Sequence, residues 1–580
     1  MSRISFWHGS YNSLMRILLA LLLSACCFAQ KRDADFARLA DRFFDEYMFK
    51  FDPAAGTQAG FHQYDPLLPS GSRAEIDEQV ATLKKLLPEY ENFGVQGLSP
   101  SVAADRELVI AAIKGQLLSL ETIRSWEKNP DVYSSGVSSA IFVIMSRSYA
   151  PAAVRLRSAI AREKLIPRVF DSARANLKNP PRIYTEVALS QLPGIVSFFQ
   201  DDVPAAFKDV TDAALKAEFQ TANQAVIASL KAYEQFLTTD LLPRSHGDFR
   251  IGPDAYSKKL LYDEMVDIPL DRLLEIGYAN LRLNQAAFAK VAAQIDPNRP
   301  AQEILDEAQQ DHPSADKLLP TFKDTLSFLR GFIETHKLVT IPTAIPPIVE
   351  ETPPFMRALT TASMDTPGPF EKVAKEAFFN VTLPEKAWDK KQTEEYLEGF
   401  NKGTIISTAV HEVYPGHYTQ FVWTARAPSK VRKLLGRGSN AEGWAHYTEQ
   451  MMLDVGYGDG DRTLRLGQLQ DALLRNARFI AGIQMHTGKM TMEEATEFFV
   501  KEGHQVRPVA EKEAKRGASD PTYLVYTLGK LEILKLRDDY LKAKGGKPSL
   551  QAFHDAFLQQ GFPPIKIVRR ALLGNDSPVL

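Results

Sequence analysis

Thr408-Ala409-Val410-His411-Glu412-Val413-Tyr414-Pro415-Gly416-His417-Tyr418 begins as a helix and cannot end as one. Ile405, Ile406, Ala409 and Val410 put an apolar run at helical spacing just ahead of His411. Pro415 then removes a backbone donor and clashes with the preceding turn, while Gly416 admits the dihedrals of a sharp bend. His411 and His417 stand six residues apart. On an unbroken helix their rings would point about 120° apart, so only a break at Pro415-Gly416 can turn His417 back toward His411. The apolar run buries this segment, and a buried His-Glu-His cluster is costly without a partner. The pattern therefore reads as two metal-ligating histidines with Glu412 beside the first of them. Those are the parts of the metalloprotease helix motif, in which the histidines normally lie at i and i+4 and the glutamate is the general base.

A catalytic zinc takes three protein ligands and keeps one position open. The natural third ligand lies in Asn440-Ala441-Glu442-Gly443-Trp444-Ala445-His446-Tyr447. Glu442 is 25 residues beyond His417, which leaves room for a loop and the start of an antiparallel helix. Ala427-Pro428-Ser429 and Gly436-Arg437-Gly438-Ser439 supply the turns. His446, one helical turn after Glu442 on the same face, can support a ligand, touch a substrate or take the place of Glu442. Two histidines and one carboxylate favour zinc, one ion per chain, though iron and manganese suit the same set.

Outward from this segment the periodicity is helical. Phe36, Leu39, Phe43, Phe44 and Tyr47 recur at helical spacing, as do Val80, Leu83, Leu86 and Leu87, and successive amphipathic helices are expected from Ala34 to about Leu242. Asp65-Pro66 and Asn179-Pro180-Pro181 punctuate them. A further helical stretch is expected from about Leu270 to Phe332, broken near Asp311-His312-Pro313. Between Val339 and Leu383 prolines crowd, and Phe378-Phe379-Asn380-Val381-Thr382 has strand character, which predicts a short strand pair beside the site. Its edge could align an extended substrate, with Asn380 offering side-chain hydrogen bonds. Helical periodicity resumes at Lys391 and runs to the end. The expected fold is mainly α: a single body over residues 30–580, with an N-terminal lobe to about 335 and a metal-site lobe from about 336 flanking a cleft.

Residues 1–29 read as a separate object. Arg3 and Arg16 precede an uncharged, mostly apolar run from Ile17 to Ala29, the parts of a secretory signal, and the run is short for a membrane span of about 20 apolar residues. Cys27-Phe28-Ala29 fits a cleavage site, whereas Leu23-Ser24-Ala25-Cys26 resembles a bacterial lipobox that would anchor the protein through a lipidated Cys26. Either way the chain is exported, to the periplasm or beyond, and no disulfide stabilises the mature fold, because Cys26 and Cys27 are its only cysteines. A formal net charge of −2 argues against nucleic acid as a partner.

Taken together, His411-Glu412-Val413-Tyr414-Pro415-Gly416-His417 and Glu442-Gly443-Trp444-Ala445-His446-Tyr447 resemble the bacterial family catalogued as domain of unknown function 885, itself similar to helical zinc metallopeptidases of the gluzincin type. Weaker likenesses at Gly60–Asp65, Gly247–Gly252 and Asp520–Lys530 extend the resemblance over nearly the whole mature chain. It implies His411, His417 and Glu442 as zinc ligands and Glu412 as base, and it places Tyr526 facing the site. Arg478 and His486 match the family pattern, whereas Gly482 stands where relatives carry an acid, so a role resting on that acid is not carried over. The expected activity is hydrolysis of short peptides. Tyr526 leads as donor to the oxyanion, with His486, His446 and Tyr523 behind it, and His446, Asn380, Tyr523 and Arg478 are candidate substrate contacts. Two rivals share these features: a metal hydrolase of a non-peptide amide or ester, and a non-catalytic envelope lipoprotein that binds peptides. Glu412 weighs against the second, since a pure binding site needs no base. The sequence leaves the oligomeric state open.

Overall fold

The computed structural model describes residues 30–357, 360–545 and 548–580; the expected signal segment and the lipobox at Cys26 lie outside them. The fold is mainly α, with one small three-stranded sheet. No described helix is long and apolar enough to cross a membrane.

The first part is a run of helices whose starts follow from their capping residues. Ser72, Ser99 and Asp212 each accept a hydrogen bond from the backbone N–H three residues on, opening Arg73–Asn92, Pro100–Leu117 and Ala213–Phe236. Asp65-Pro66 and Asn179-Pro180-Pro181 fall between helices, as their turn chemistry requires. Leu156, Phe170, Leu192, Phe198 and Leu230 build one apolar core within this run.

Helix α1 (Leu270–Ile295) follows, then Ala301–Gln309 and helix α2 (Leu318–His336). The expected break near Asp311 is present, and a further one at Asp296–Pro300 separates α1 from its successor. Strands β1 (Ile348–Glu351), β2 (Ala362–Asp365) and β3 (Phe378–Val381) come next. The sheet order is β1-β3-β2, with β1 parallel and β2 antiparallel to β3. The segment read as an edge strand is therefore the central one. Asn380 pairs with Glu350 on one side and Ser363 on the other, and is 1% exposed. Its amide donates toward Ser363 Oγ at 3.4 Å, so it has no way to reach a substrate; the outer strand beside the helices that follow is β2.

Those helices are α3 (Lys402–Glu412), α4 (His417–Thr424), α5 (Gly438–Asp454), α6 (Arg462–His486), α7 (Arg507–Ser519) and α8 (Val525–Ala543). Helices α5 and α8 cross at two glycines. A Cβ on Gly443 would lie 2.5 Å from Gly529 Cα, and one on Gly529 would lie 1.7 Å from the Ser439 carbonyl oxygen, so only hydrogen fits there. Packing does not divide near residue 335. Leu318, Phe322 and Leu329 of α2 share a core with Phe379, Val410, Trp444 and Phe553, and the N-terminal Phe36, Phe44 and Leu108 share another with Val431 and Ile567.

Candidate metal centre

Asn401 caps α3 by accepting from the N–H groups of Gly403 and Thr404. The helix ends at Glu412, and the chain folds back over its own last turn: Tyr414 N donates to Ala409 O at 3.2 Å and Gly416 N to Val410 O at 2.9 Å. The Tyr414–Pro415 peptide is cis. A Cβ on Gly416 would lie 1.8 Å from the His411 carbonyl oxygen and 2.3 Å from that of Val410, so the fold-back demands glycine. Trp444 Nε1 donates to Pro415 O at 2.9 Å and ties the loop to α5. Helix α4 then starts at His417, with a new axis.

This break brings the rings of His411 and His417 to a centroid separation of 4.8 Å at 83°. Phe421, one turn along α4, stacks on His417 at 5.3 Å and fixes its plane. From α5, Glu442 places Oε2 at 3.3 Å from His411 Nε2 and 3.4 Å from His417 Nε2. A tetrahedral zinc with bonds of about 2.0–2.1 Å separates its ligand atoms by roughly 3.3 Å. Among the described residues neither Glu442 Oε2 nor His417 Nδ1, both buried, has a hydrogen-bond partner. A buried polar atom without a partner costs about 1–3 kcal/mol, and a cation set among these three side chains would satisfy the carboxylate oxygen. The residues fit a zinc ion. They are the one group of three or more potential metal ligands that converges among the described residues. Glu442 keeps 28% of its side-chain surface, so the cluster is approached from that side.

The support beneath the cluster includes a residue that sequence reasoning missed. Glu449 lies seven positions after Glu442, about 20° from the same helical direction, and its side chain has no exposed surface. His411 Nδ1 donates to Glu449 Oε1 at 2.7 Å, so Nε2 is the nitrogen turned toward Glu442. His446 Nδ1 donates to Glu449 Oε2 at 3.0 Å, and Arg475 Nη2 pairs with Oε1 at 3.0 Å. Burial opposes protonation of His411, but Glu442 and Glu449 more than reverse this and hold the ring at about 10. Burial would push the Glu442 carboxyl up, yet His417 and His411 hold it well below the ordinary range. The signal for Glu449 was its helical phase with Glu442 and His446.

The other residues singled out in the sequence take different places. Glu412 ends α3, half-buried, and joins no ion pair among the described residues. Tyr526, three residues before the Gly529 crossing, is 8% exposed; burial raises its phenol, and after burial the nearby Glu442 carboxylate does most. Its hydroxyl accepts from Arg516 Nη2 at 3.0 Å. His446 is 1% exposed, lowered to about 3 by burial, and turned to Glu449, so it joins the support and not the converging group. Arg478 grips Glu513 through two bonds of 2.6 and 2.9 Å, and its guanidinium lies 5.0 Å from the ring centres of both Tyr523 and Tyr526. Tyr523 is fully buried with its hydroxyl donating to Glu513. Neither Arg478 nor Tyr523 offers a surface to substrate; both brace Tyr526. His486 is a clear correction. It sits at the end of α6, eleven residues and about 16 Å along the helix from Arg475, fully buried, with Nε2 at 2.9 Å from the Gly517 carbonyl. It is a core residue between Phe249 and Tyr256.

Solved structures share this fold over nearly the whole chain. A candidate lipoprotein of unknown function from Shewanella oneidensis superposes with a TM-score of 0.76 at 27% identity, over 93% of this chain and 99% of that one. A candidate lipoprotein from Colwellia psychrerythraea gives the same TM-score at 16% identity, over 94% of this chain and 98% of that one, and so shares the fold. Among curated proteins nothing matches. The family model described as "Bacterial protein of unknown function (DUF885)" matches residues 53–572, and the chain belongs to that family.

Proposed function

We propose that this DUF885 protein is an exported, zinc-dependent hydrolase of short peptides. The observation that carries the reading is Glu442 Oε2, buried without a hydrogen-bond partner among the described residues at 3.3 and 3.4 Å from two histidine nitrogens, with Glu412 next in sequence to the first of them. His411, His417 and Glu442 would hold the ion. When bound, zinc supplies Lewis acidity that polarises a carbonyl and makes water more acidic.

The chain's own residues carry the rest. Glu412 joins no ion pair among the described residues and is partly open to solvent, as a base that takes a proton from water and returns it to a leaving amine must be. Tyr526 presents a phenol beside Glu442, with Arg516, Arg478 and Arg475 around it. Its hydroxyl can donate to the oxygen on which negative charge develops. Strand β2 packs beside α3 and α4, the helices that bear the two histidines, and its outer edge could pair with an extended peptide. Export is supported by the expected signal segment and by the lipoprotein descriptions of the two structural neighbours.

The test joins metal content to activity. Purified mature protein should carry about one zinc per chain. His417→Ala and Glu442→Gln should lose it. Glu412→Gln should keep the metal while peptide cleavage falls by roughly 10²–10⁴-fold. Absence of metal after zinc is supplied, or a fully active Glu412→Gln, would overturn the reading. Turnover of esters or small amides with none of peptides would move the proposal to non-peptide bonds.

A further inference from the structure

A second concave site, separate from the ligand cluster, lies between α1, α5, α6 and α8. It is a cleft of about 540 Å³, within the roughly 300–1,000 Å³ usual for small-molecule sites. Its lining holds four cationic side chains, Lys530, Arg462, Arg465 and Lys290, and no carboxylate. Arg465 is already matched by Asp454 at 2.6 Å. Arg462 and Lys290 are exposed at the rim, where a charge is worth little.

Lys530 differs from these. It is 2% exposed, yet its ammonium makes no hydrogen bond and no ion pair among the described residues. Glu449 is near enough for its charge to be felt, but it is engaged by His411, His446 and Arg475. Holding an ammonium in a largely buried residue without a contact partner is costly, and such groups are found paired or at sites that receive a counter-ion; the Lys530 nitrogen is not among the fully enclosed unpartnered atoms of the fold. Burial brings Lys530 down to about 8, with Glu449 pulling the other way, as expected of a cation lacking a contact partner. Five amide side chains also line the cleft, and an apolar strip runs through Val291, Leu534 and Leu283, the last of which is 66% exposed at the lip.

We propose that this cleft binds a small monocarboxylate bearing an apolar chain, with the carboxylate on Lys530 and the chain along Val291, Leu534 and Leu283. One buried cation balances one negative charge, so a dianionic phosphate would be left half-compensated. Two kinds of molecule share the required chemistry, a medium-chain fatty acid and a short apolar peptide with a free C-terminus, and the experiment separates them. The proposal does not depend on the metal centre.

Titration calorimetry of the full mature protein would use octanoate, octanamide, tri-leucine and tri-leucine amide. At least one carboxylate should bind saturably, at least tenfold tighter than its amide. Octanoate alone would indicate a lipid-type ligand, and tri-leucine alone a peptide-type one. Lys530→Met, which keeps the side chain's length, should abolish the preference for carboxylate over amide. Leu283→Glu, at an exposed position that leaves the core untouched, should weaken acid and amide alike through the lost lip contact, and the carboxylate severalfold more through repulsion; it carries the test if Lys530→Met fails to fold. No saturable binding of either carboxylate, amides binding as tightly as acids, or a folded Lys530→Met with unchanged preference would overturn the assignment.

Discussion

Glu449 holds a full negative charge where its side chain has no solvent contact, and three donors converge on it. Such a carboxylate fixes the tautomer of His411 and raises the basicity of the nitrogen left for a metal. Glu449→Gln keeps the shape but can accept at only one oxygen, so zinc affinity measured by competition with a chelating dye should fall by about 10- to 100-fold. An unchanged affinity would mean that the His411 ring is held by packing alone. Glu163 presents the opposite case. It is fully buried, neither of its oxygens has a partner among the described residues, and burial raises its carboxyl well above the ordinary range. The folded state thus keeps a proton that the unfolded chain releases near pH 4.3, and stability falls as pH rises above that point, by up to about 1.4 kcal/mol per unit until the folded carboxyl ionises. Glu163→Gln should raise the melting temperature at pH 8 and make little difference at pH 5; an increment that does not vary with pH would show that the carboxyl is not held neutral. Legibility differed between residues at this scale. The His411, His417 and Glu442 side chains meet as their spacing suggested, because one helix break and one antiparallel return suffice. Arg478, His446 and Tyr523 looked equally eligible as residue types, but a single sequence does not say which side of a buried helix faces a carboxylate and which faces a cleft.

At the scale of elements, the fold-back between α3 and α4 is held by backbone contacts that leave no space for a side chain. Gly416→Ala sets a methyl 1.8 Å from the His411 carbonyl oxygen, so the loop itself must move. Overpacking of this kind costs about 1–3 kcal/mol, too little to unfold a large body but enough to displace His417. The expected result is a folded protein by circular dichroism with zinc binding weakened by about 10²-fold or more; retained zinc would show that the two histidines meet without the tight bend. The break was readable because Pro and Gly act locally. The small β element was readable through β3, but the order of β1 and β2 about it was not, for the opposite reason. Strands β1 and β2 are four residues each, and Ala-Ser-Met-Asp in β2 has no β-branched residue. The two flank β3 only through long-range pairing. Phe378–Val381 stood out because, as the central strand, it buries Phe379 and Val381 completely. That same burial removed the edge it was expected to offer.

At the scale of the molecule, the residues proposed to hold the metal sit on three helices, α3, α4 and α5, while α6 contributes Arg475 to the support and α8 brings Tyr526 and Lys530 alongside. An ion at this point would act as a cross-link inside the core that joins Leu318, Val410, Trp444 and Phe553. A ligand that binds only the folded state stabilises it by about 4.1 kcal/mol at a thousandfold excess over its Kd. Removing zinc with a chelator should therefore lower the melting temperature by a few degrees. The loss should also be local. The core formed by Leu156, Phe170, Leu192 and Leu230 contains none of these helices, so its amide protons should exchange at nearly the same rate with and without metal. The amides of 405–454 should exchange faster once zinc is gone. Equal acceleration in both regions would show that the body opens as a single cooperative unit, and the metal would then be contributing to the stability of the whole chain. Acceleration in neither would place the ion outside the structural network, and the coupling of site to core inferred from the shared helices would be withdrawn.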